Sequence, residues 1–202
     1  MTENKKIISL TSKQLLLKRM FDVVFSVMIL ILIAPVLLII SILLKLQNQG
    51  PVLYKQSRCS YTGKIFYIYK FRTMCSNAID EPITQSTVNN DKRISKLGLF
   101  LRQTSLDELP QFLNVLQGSM SIVGPRPASP LFVEKYHEHL DYILDVKPGI
   151  TGWAQINGFR GSTDIGSRAS YDLHYCNNWS LWLDIKIISI TTFRGFLHKN
   201  AY

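Results

Sequence analysis

The chain has 202 residues, room for one domain of ordinary size plus a membrane element, and its 23 Lys and Arg outnumber 14 Asp and Glu to leave a formal charge of +9. That balance suits anionic partners such as lipid headgroups or phosphates; a nucleic acid would want stacking platforms or a recognition helix, and neither stands out. Three cysteines, Cys59, Cys75 and Cys176, are odd in number and share no metal or redox spacing, so free thiols in a reducing compartment are expected rather than a disulfide framework.

In chain order, a basic segment with Lys5, Lys6, Lys13, Lys18 and Arg19 leads into an uncharged apolar run from Val23 to Leu44. Roughly 22 such residues suffice to cross a ~30 Å hydrocarbon layer. Pro35 interrupts the run, where it removes a backbone donor and clashes with the preceding turn. Lys45 closes it, so positive charge on both flanks gives no clear inside end. Two readings stay open on these grounds. One is a kinked span; the other is a helix that breaks at Ala34-Pro35 and returns to the side it came from. Periodicity alone favours the span.

Beyond Gly50-Pro51, the stretches Val52 to Arg58 and Lys64 to Thr73 read as a hairpin around a turn at Ser60 to Gly63. Period-two alternation puts Phe66, Ile68, Lys70 and Arg72 on one face. Cys75 to Asp91 is polar, carries Pro82 and reads as a loop. Helical patterns follow over Lys92 to Arg102 and Ser105 to Leu116, the second stopped by Gly118. Ser129-Pro130 opens a helix to Leu144 with Phe132, Tyr136, Leu140 and Ile143 on its buried stripe. Pro148 to Gly161 is glycine-rich and irregular. Ser167 to Asn178 and Ser180 to His198 read as two more helices, the last with Trp182, Ile185, Phe193 and Phe196 able to rest at a membrane interface. The expected class is α+β, mainly helical: residues 1–47 as basic segment and membrane helix, residues 48–202 as a catalytic domain with a small β-hairpin.

Chemistry concentrates at Thr104-Ser105-Leu106-Asp107-Glu108-Leu109-Pro110. Ser105 with Glu108 three residues on is a capping-box pattern, which needs no catalysis to explain it. Asp107, at a helix N-terminus, is expected to stay ionised. An ionised carboxylate can attack phosphorus, and an adjacent carboxylate pair offers hard oxygens to Mg²⁺. Spacing alone favours the cap. Taken in isolation, Lys70 and Arg72 read better as a solvated strand face, whereas for Arg126, in Gly124-Pro125-Arg126-Pro127, a backbone stiffened by two prolines brings the functional reading level with the bland one. Arg168, Asp172 and Tyr175 recur at i, i+4 and i+7 on one helical face, where a surface ion pair would account for the first two.

Together these segments resemble the bacterial sugar transferases, the monotopic phosphoglycosyl transferases. The resemblance is carried by Lys18-Arg19-Met20-Phe21-Asp22, Gly50-Pro51, Gln56-Ser57-Arg58 and Lys70-Phe71-Arg72-Thr73-Met74. It continues through the stretch from Leu101 to Gln111, the stretch from Ser121 to Pro127, and Lys147-Pro148-Gly149-Ile150-Thr151-Gly152. It implies a re-entrant membrane helix on the cytoplasmic face of the bacterial inner membrane. It also implies transfer of a sugar-1-phosphate from a UDP-sugar to polyprenol (undecaprenyl) phosphate. By the same resemblance Asp107 is the nucleophile, Glu108 helps hold Mg²⁺, and Arg126 grips phosphate. Lys70, Arg72, Arg102, Arg160, Arg168, Asp172 and Tyr175 are expected at the substrates.

The family often has serine where this chain has Ala34, so Pro35 would have to bend the helix alone. The closing Lys199-Asn200-Ala201-Tyr202 resembles the hexose-1-phosphate branch that starts exopolysaccharide or O-antigen units, with glucose and galactose the favoured sugars. No nucleic-acid partner is expected, and a homo-oligomer is compatible with the motifs. Two other readings remain: a non-catalytic membrane-surface scaffold that binds anionic lipids, and a one-step glycosyl transferase, which normally carries an Asp-x-Asp motif that this chain lacks.

Overall fold

The computed structural model describes residues 10–47, 50–59, 64–74, 93–134, 146–159 and 164–195. Helix α1 (Ser12–Gln47) runs 36 residues and passes through Pro35 without interruption. The expected helix–break–helix is therefore one helix. A proline removes a single ladder bond, and the apolar side chains around it offer the backbone no competing partner. Only 11% of the most apolar stretch of α1 is buried in the protein. It is no core helix, and it is long and apolar enough to cross a membrane.

Both ends of α1 dock on the same folded body. Near its start, Lys18 Nζ lies 2.8 Å from Asp184 Oδ2, and Asp22 Oδ1 accepts from the Ile122 amide at 3.1 Å. Arg19 donates to the carbonyls of Val115 and Leu116, two of the groups a helix C-terminus leaves unpaired. Near the far end, Ile40 and Leu44 are buried with Phe71 and Leu101, and Leu106 packs against them. Between these docks Val24, Met28, Ile31, Leu32, Leu38 and Ile39 are exposed.

Strands β1 (Leu53–Cys59) and β2 (Ile65–Phe71) form the expected antiparallel hairpin, paired from Leu53↔Phe71 to Cys59↔Ile65. The turn at 60–63 and the loop at 75–92 lie outside the described residues. Helix α2 (Lys96–Gln103) starts where the Ser95 side chain accepts from the Gly98 amide at 2.9 Å. Helix α3 (Gln111–Gln117) is stopped by Gly118 at φ 84°, a left-handed position that glycine adopts without a Cβ clash. Asn114 fixes α3 to β2, donating to the Tyr67 carbonyl and accepting from the Tyr69 amide.

A second sheet went unforeseen. β3 (Ser121–Val123) pairs in parallel with β4 (Gly149–Thr151), and Gly124 and Gly149 approach so closely that a Cβ on either would strike the other's backbone. Ser129 caps as expected, accepting from the Phe132 amide at 3.2 Å, and residues 130–134 are helical. Tyr136, Leu140 and Ile143 lie outside the described residues.

The remainder is α4 (Trp153–Ile156), α5 (Ile165–Asn177) and α6 (Leu181–Gly195). The main core joins Ile68, Val115, Met120, Ile122 and Ile187 across these elements. Trp182 and Phe193 on α6 remain three-quarters exposed, while Phe196 lies outside the described residues. The class is α+β and mainly helical, as expected.

Candidate active site

The segment before α3 is not the helical turn that its pattern suggests. Ser105 takes a left-handed conformation (φ 56°), the one non-glycine residue at positive φ among those described, and makes no side-chain cap. Such a conformation costs roughly 1–2 kcal/mol for an L-residue and persists where its surroundings over-determine it. It turns the chain into a three-residue 3₁₀ turn, Leu106–Glu108, that buries Asp107 at 4% exposure. The capping box does not form because Glu108 is engaged elsewhere. Its Oε1 lies 2.7 Å from Lys70 Nζ on β2 and 2.9 Å from Arg126 Nη2 in the loop after β3. Arg126 Nη1 reaches Oε2 at 3.5 Å.

The two neighbouring carboxyls are thereby split in character. Burial pushes Glu108 up, but Arg126 and Lys70 outweigh it and hold its carboxyl well below the ordinary range. For Asp107, burial and then the Glu108 charge push the carboxyl up to about 6, against the pull of Lys70, Arg102 and Arg126. This reverses the expectation of a carboxylate held firmly ionised by a helix dipole: a three-residue turn has almost no dipole, and desolvation wins. Asp107 Oδ1 is buried without a hydrogen-bond partner among the described residues. One unpaired, half-ionising acid beside a fixed anion and three cations is an arrangement suited to nucleophilic attack on a polyanion.

The Arg126 loop is held from behind by α5. Arg168 Nη2 donates to the Arg126 carbonyl at 2.8 Å, and the Tyr175 hydroxyl lies 3.0 Å from the Val123 carbonyl and 2.7 Å from Asp184 Oδ1. Asp172 Oδ2 sits 3.7 Å from Arg168 Nε. All three share one face, as their spacing indicates, but that face is buried rather than a solvated ion pair. Both ends of the Val123–Arg126 segment are thus fixed by side chains two turns apart on a single helix. Asp184 also accepts from Lys18 and Trp179, which ties this support to α1.

Of the other expected site residues, Arg102 Nε donates to Thr73 Oγ1 at 2.8 Å and adds its field at Asp107. Arg72 is buried against Gly50, apart from the Glu108 cations. Arg160 lies outside the described residues. Arg58 was not singled out for a role, yet it belongs to the cluster: burial and then the Arg126 charge pull it down to about 10, and Glu108 pulls the other way. The hairpin register holds the missed signal, since Arg58 stands opposite Phe66 as Tyr54 does opposite Lys70.

For Mg²⁺, Asp107 Oδ1 is a suitable hard oxygen, buried and without a donor, whereas both Glu108 oxygens already face cations. Among the described residues no three His, Cys, Asp or Glu converge on one point. A cation that keeps most of its ligands as water and substrate phosphate needs no more than one such carboxylate.

The model of a family described as bacterial sugar transferase matches residues 13–198. The chain is 51% identical over 194 residues to the UDP-glucose:undecaprenyl-phosphate glucose-1-phosphate transferase of Escherichia coli (strain K12), covering 93% of this chain and 42% of that protein. To the undecaprenyl-phosphate galactose phosphotransferase of Salmonella typhimurium it is 41% identical over 200 residues, covering 92% and 42%. The exopolysaccharide production protein PSS of Rhizobium leguminosarum bv. phaseoli is 42% identical over 184 residues, covering 86% of this chain and 92% of its own length. The chain thus spans about two fifths of the first two relatives and nearly all of the third. With motifs, site and near full-length match in agreement, the chain belongs to the bacterial sugar transferase family.

Proposed function

We propose that this protein transfers a hexose-1-phosphate from a UDP-sugar to undecaprenyl phosphate through an aspartyl-phosphosugar intermediate. The observation that carries the reading is the buried Asp107 carboxyl, its Oδ1 without a hydrogen-bond partner among the described residues, beside a Glu108 that holds Lys70 and Arg126. Asp107 attacks the β-phosphorus, the bond from that phosphorus to the bridging oxygen breaks, and UMP leaves with the bond's electron pair. An oxygen of undecaprenyl phosphate then attacks the same phosphorus, releasing the Asp107 carboxylate and forming undecaprenyl diphosphate sugar. Lys70 and Arg126, preorganised on Glu108, lower the repulsion between carboxylate and diphosphate. Asp107 would hold Mg²⁺ through its buried Oδ1, and the ion would supply Lewis-acid polarisation of the phosphoryl group. Arg168, Asp172 and Tyr175 act by holding the Arg126 loop. The relatives' printed names support glucose or galactose as the sugar.

The double docking of α1 supports the re-entrant topology. Asp22 and Ile40 are 18 positions apart, about 27 Å along a straight helix. A rod that crossed the ~30 Å hydrocarbon layer could not touch one water-soluble body near both ends. A helix that dips into one leaflet and returns can, and in this reading the domain lies on the cytoplasmic face of the inner membrane.

Incubation with UDP-glucose should give UMP and a hexose-phosphate mass increment on the intact protein. UDP as the nucleotide product would mean a one-step glycosyl transfer, and no nucleotide release at all would leave the lipid-binding scaffold. The rate should also titrate with Asp107. Before metal binds, the Asp107 carboxyl stands at about 6, and a bound cation would draw it lower, so UMP release should show an acid limb at or below about pH 6 and level off above it. A profile with no acid limb at all would contradict the assignment.

A further inference from the structure

Among the described residues one buried guanidinium has no carboxylate to balance it. Arg72 is 7% exposed, and its Nε and Nη2 are enclosed without a hydrogen-bond partner among the described residues. No carboxylate there pairs with it, whereas Lys70 and Arg126 have Glu108 and Arg102 has Thr73. An orphaned buried cation is among the costliest arrangements a fold can keep, and Nε with Nη2 is the edge that takes two oxygens of a phosphate at once.

The surroundings are built to hold that edge in place. The Arg72 amide donates to the Val52 carbonyl at 2.9 Å, and a Cβ on Gly50 would collide with the guanidinium, so the link leaving α1 must be bare at that point. The residues just before Arg72, Arg102 and Asp107 are Phe71, Leu101 and Leu106, and all three pack in one apolar cluster with Ile40 and Leu44 of α1. The Arg72 guanidinium therefore sits against the link that leaves α1, while Lys70 and Arg126 are held on Glu108.

We propose that Arg72 binds the phosphate of the polyprenyl phosphate acceptor, leaving the donor diphosphate to Lys70 and Arg126. A phosphate monoester on a membrane-embedded chain reaches the site from the α1 side, where Arg72 Nε and Nη2 have no hydrogen-bond partner among the described residues. The assignment rests on the two-step reading above and adds which substrate this residue serves.

The test separates the half-reactions. With UDP-glucose alone, Arg72→Gln and Arg72→Lys should form the adduct and release one equivalent of UMP as the unaltered enzyme does, which also certifies their folding. With undecaprenyl phosphate in nanodiscs, KM for the acceptor should rise about tenfold or more in Arg72→Gln and less in Arg72→Lys, with KM for UDP-glucose unchanged. An equal loss in the first half-reaction, or an unmoved acceptor KM, overturns the proposal. A defect that disappears when anionic phospholipid is omitted also overturns it, since bulk headgroups would then be the ligand. If the unaltered enzyme forms no adduct and no UMP, the two-step reading fails and takes this assignment with it.

Discussion

Asp107→Asn should lose UMP release by a thousandfold or more, show no phosphosugar increment, and yet melt at a higher temperature than the parent. The first two results follow from removing the nucleophile. The third follows from the sign of the burial effect. A carboxyl whose pKa is raised from 3.8 to about 6 binds its proton more tightly when folded, so it weakens the fold as pH rises through that window. At neutral pH the cost is about 2–3 kcal/mol, which a neutral amide of the same shape avoids, and a domain of this size should gain roughly 5 °C. Intact-protein mass spectrometry and thermal melts at pH 7.5 check both halves. Retained turnover, or inactivity with a lowered melting temperature, would remove Asp107 from the central role.

Glu108→Gln should cut turnover about a hundredfold, the scale for loosening a preorganised charged contact, and move the acid limb of the pH profile to lower pH. Glu108 raises the Asp107 carboxyl, and without its charge Lys70 and Arg126 act on Asp107 undiminished. Asp107 then ionises more readily, but Lys70 and Arg126, which the proposed mechanism assigns to the diphosphate, are no longer fixed at 2.7 and 2.9 Å from their anchor. A slower enzyme with an unmoved acid limb would show that Glu108 does not set the state of its neighbour.

Local grammar was legible wherever the interaction was local. The hairpin, the Ser129 cap, the Gly118 stop and the apolar run each depend on residues a few positions apart, and each is found as expected. Ser105 to Leu116 misled because Ser105 and Glu108 satisfy a helix-start pattern, while the partners that claim Glu108 come from residues 70 and 126. Arg168 and Asp172 looked like a surface pair for a related reason: the Arg126 carbonyl and the Phe132 ring that cover Arg168 lie some forty positions away. β3 and β4 have three residues each, too short to show any period, and their pairing relies on glycines at 124 and 149. The motifs supplied the acidic pair and the cations around it; how these are arranged depends on contacts that no window of sequence contains.

The placement of Phe71, Leu101 and Leu106 has a mechanical corollary. Arg72, Arg102 and Asp107 each directly follow a side chain packed against the same end of α1. A shift of that end of the helix would therefore carry the three together and leave their mutual spacing largely intact.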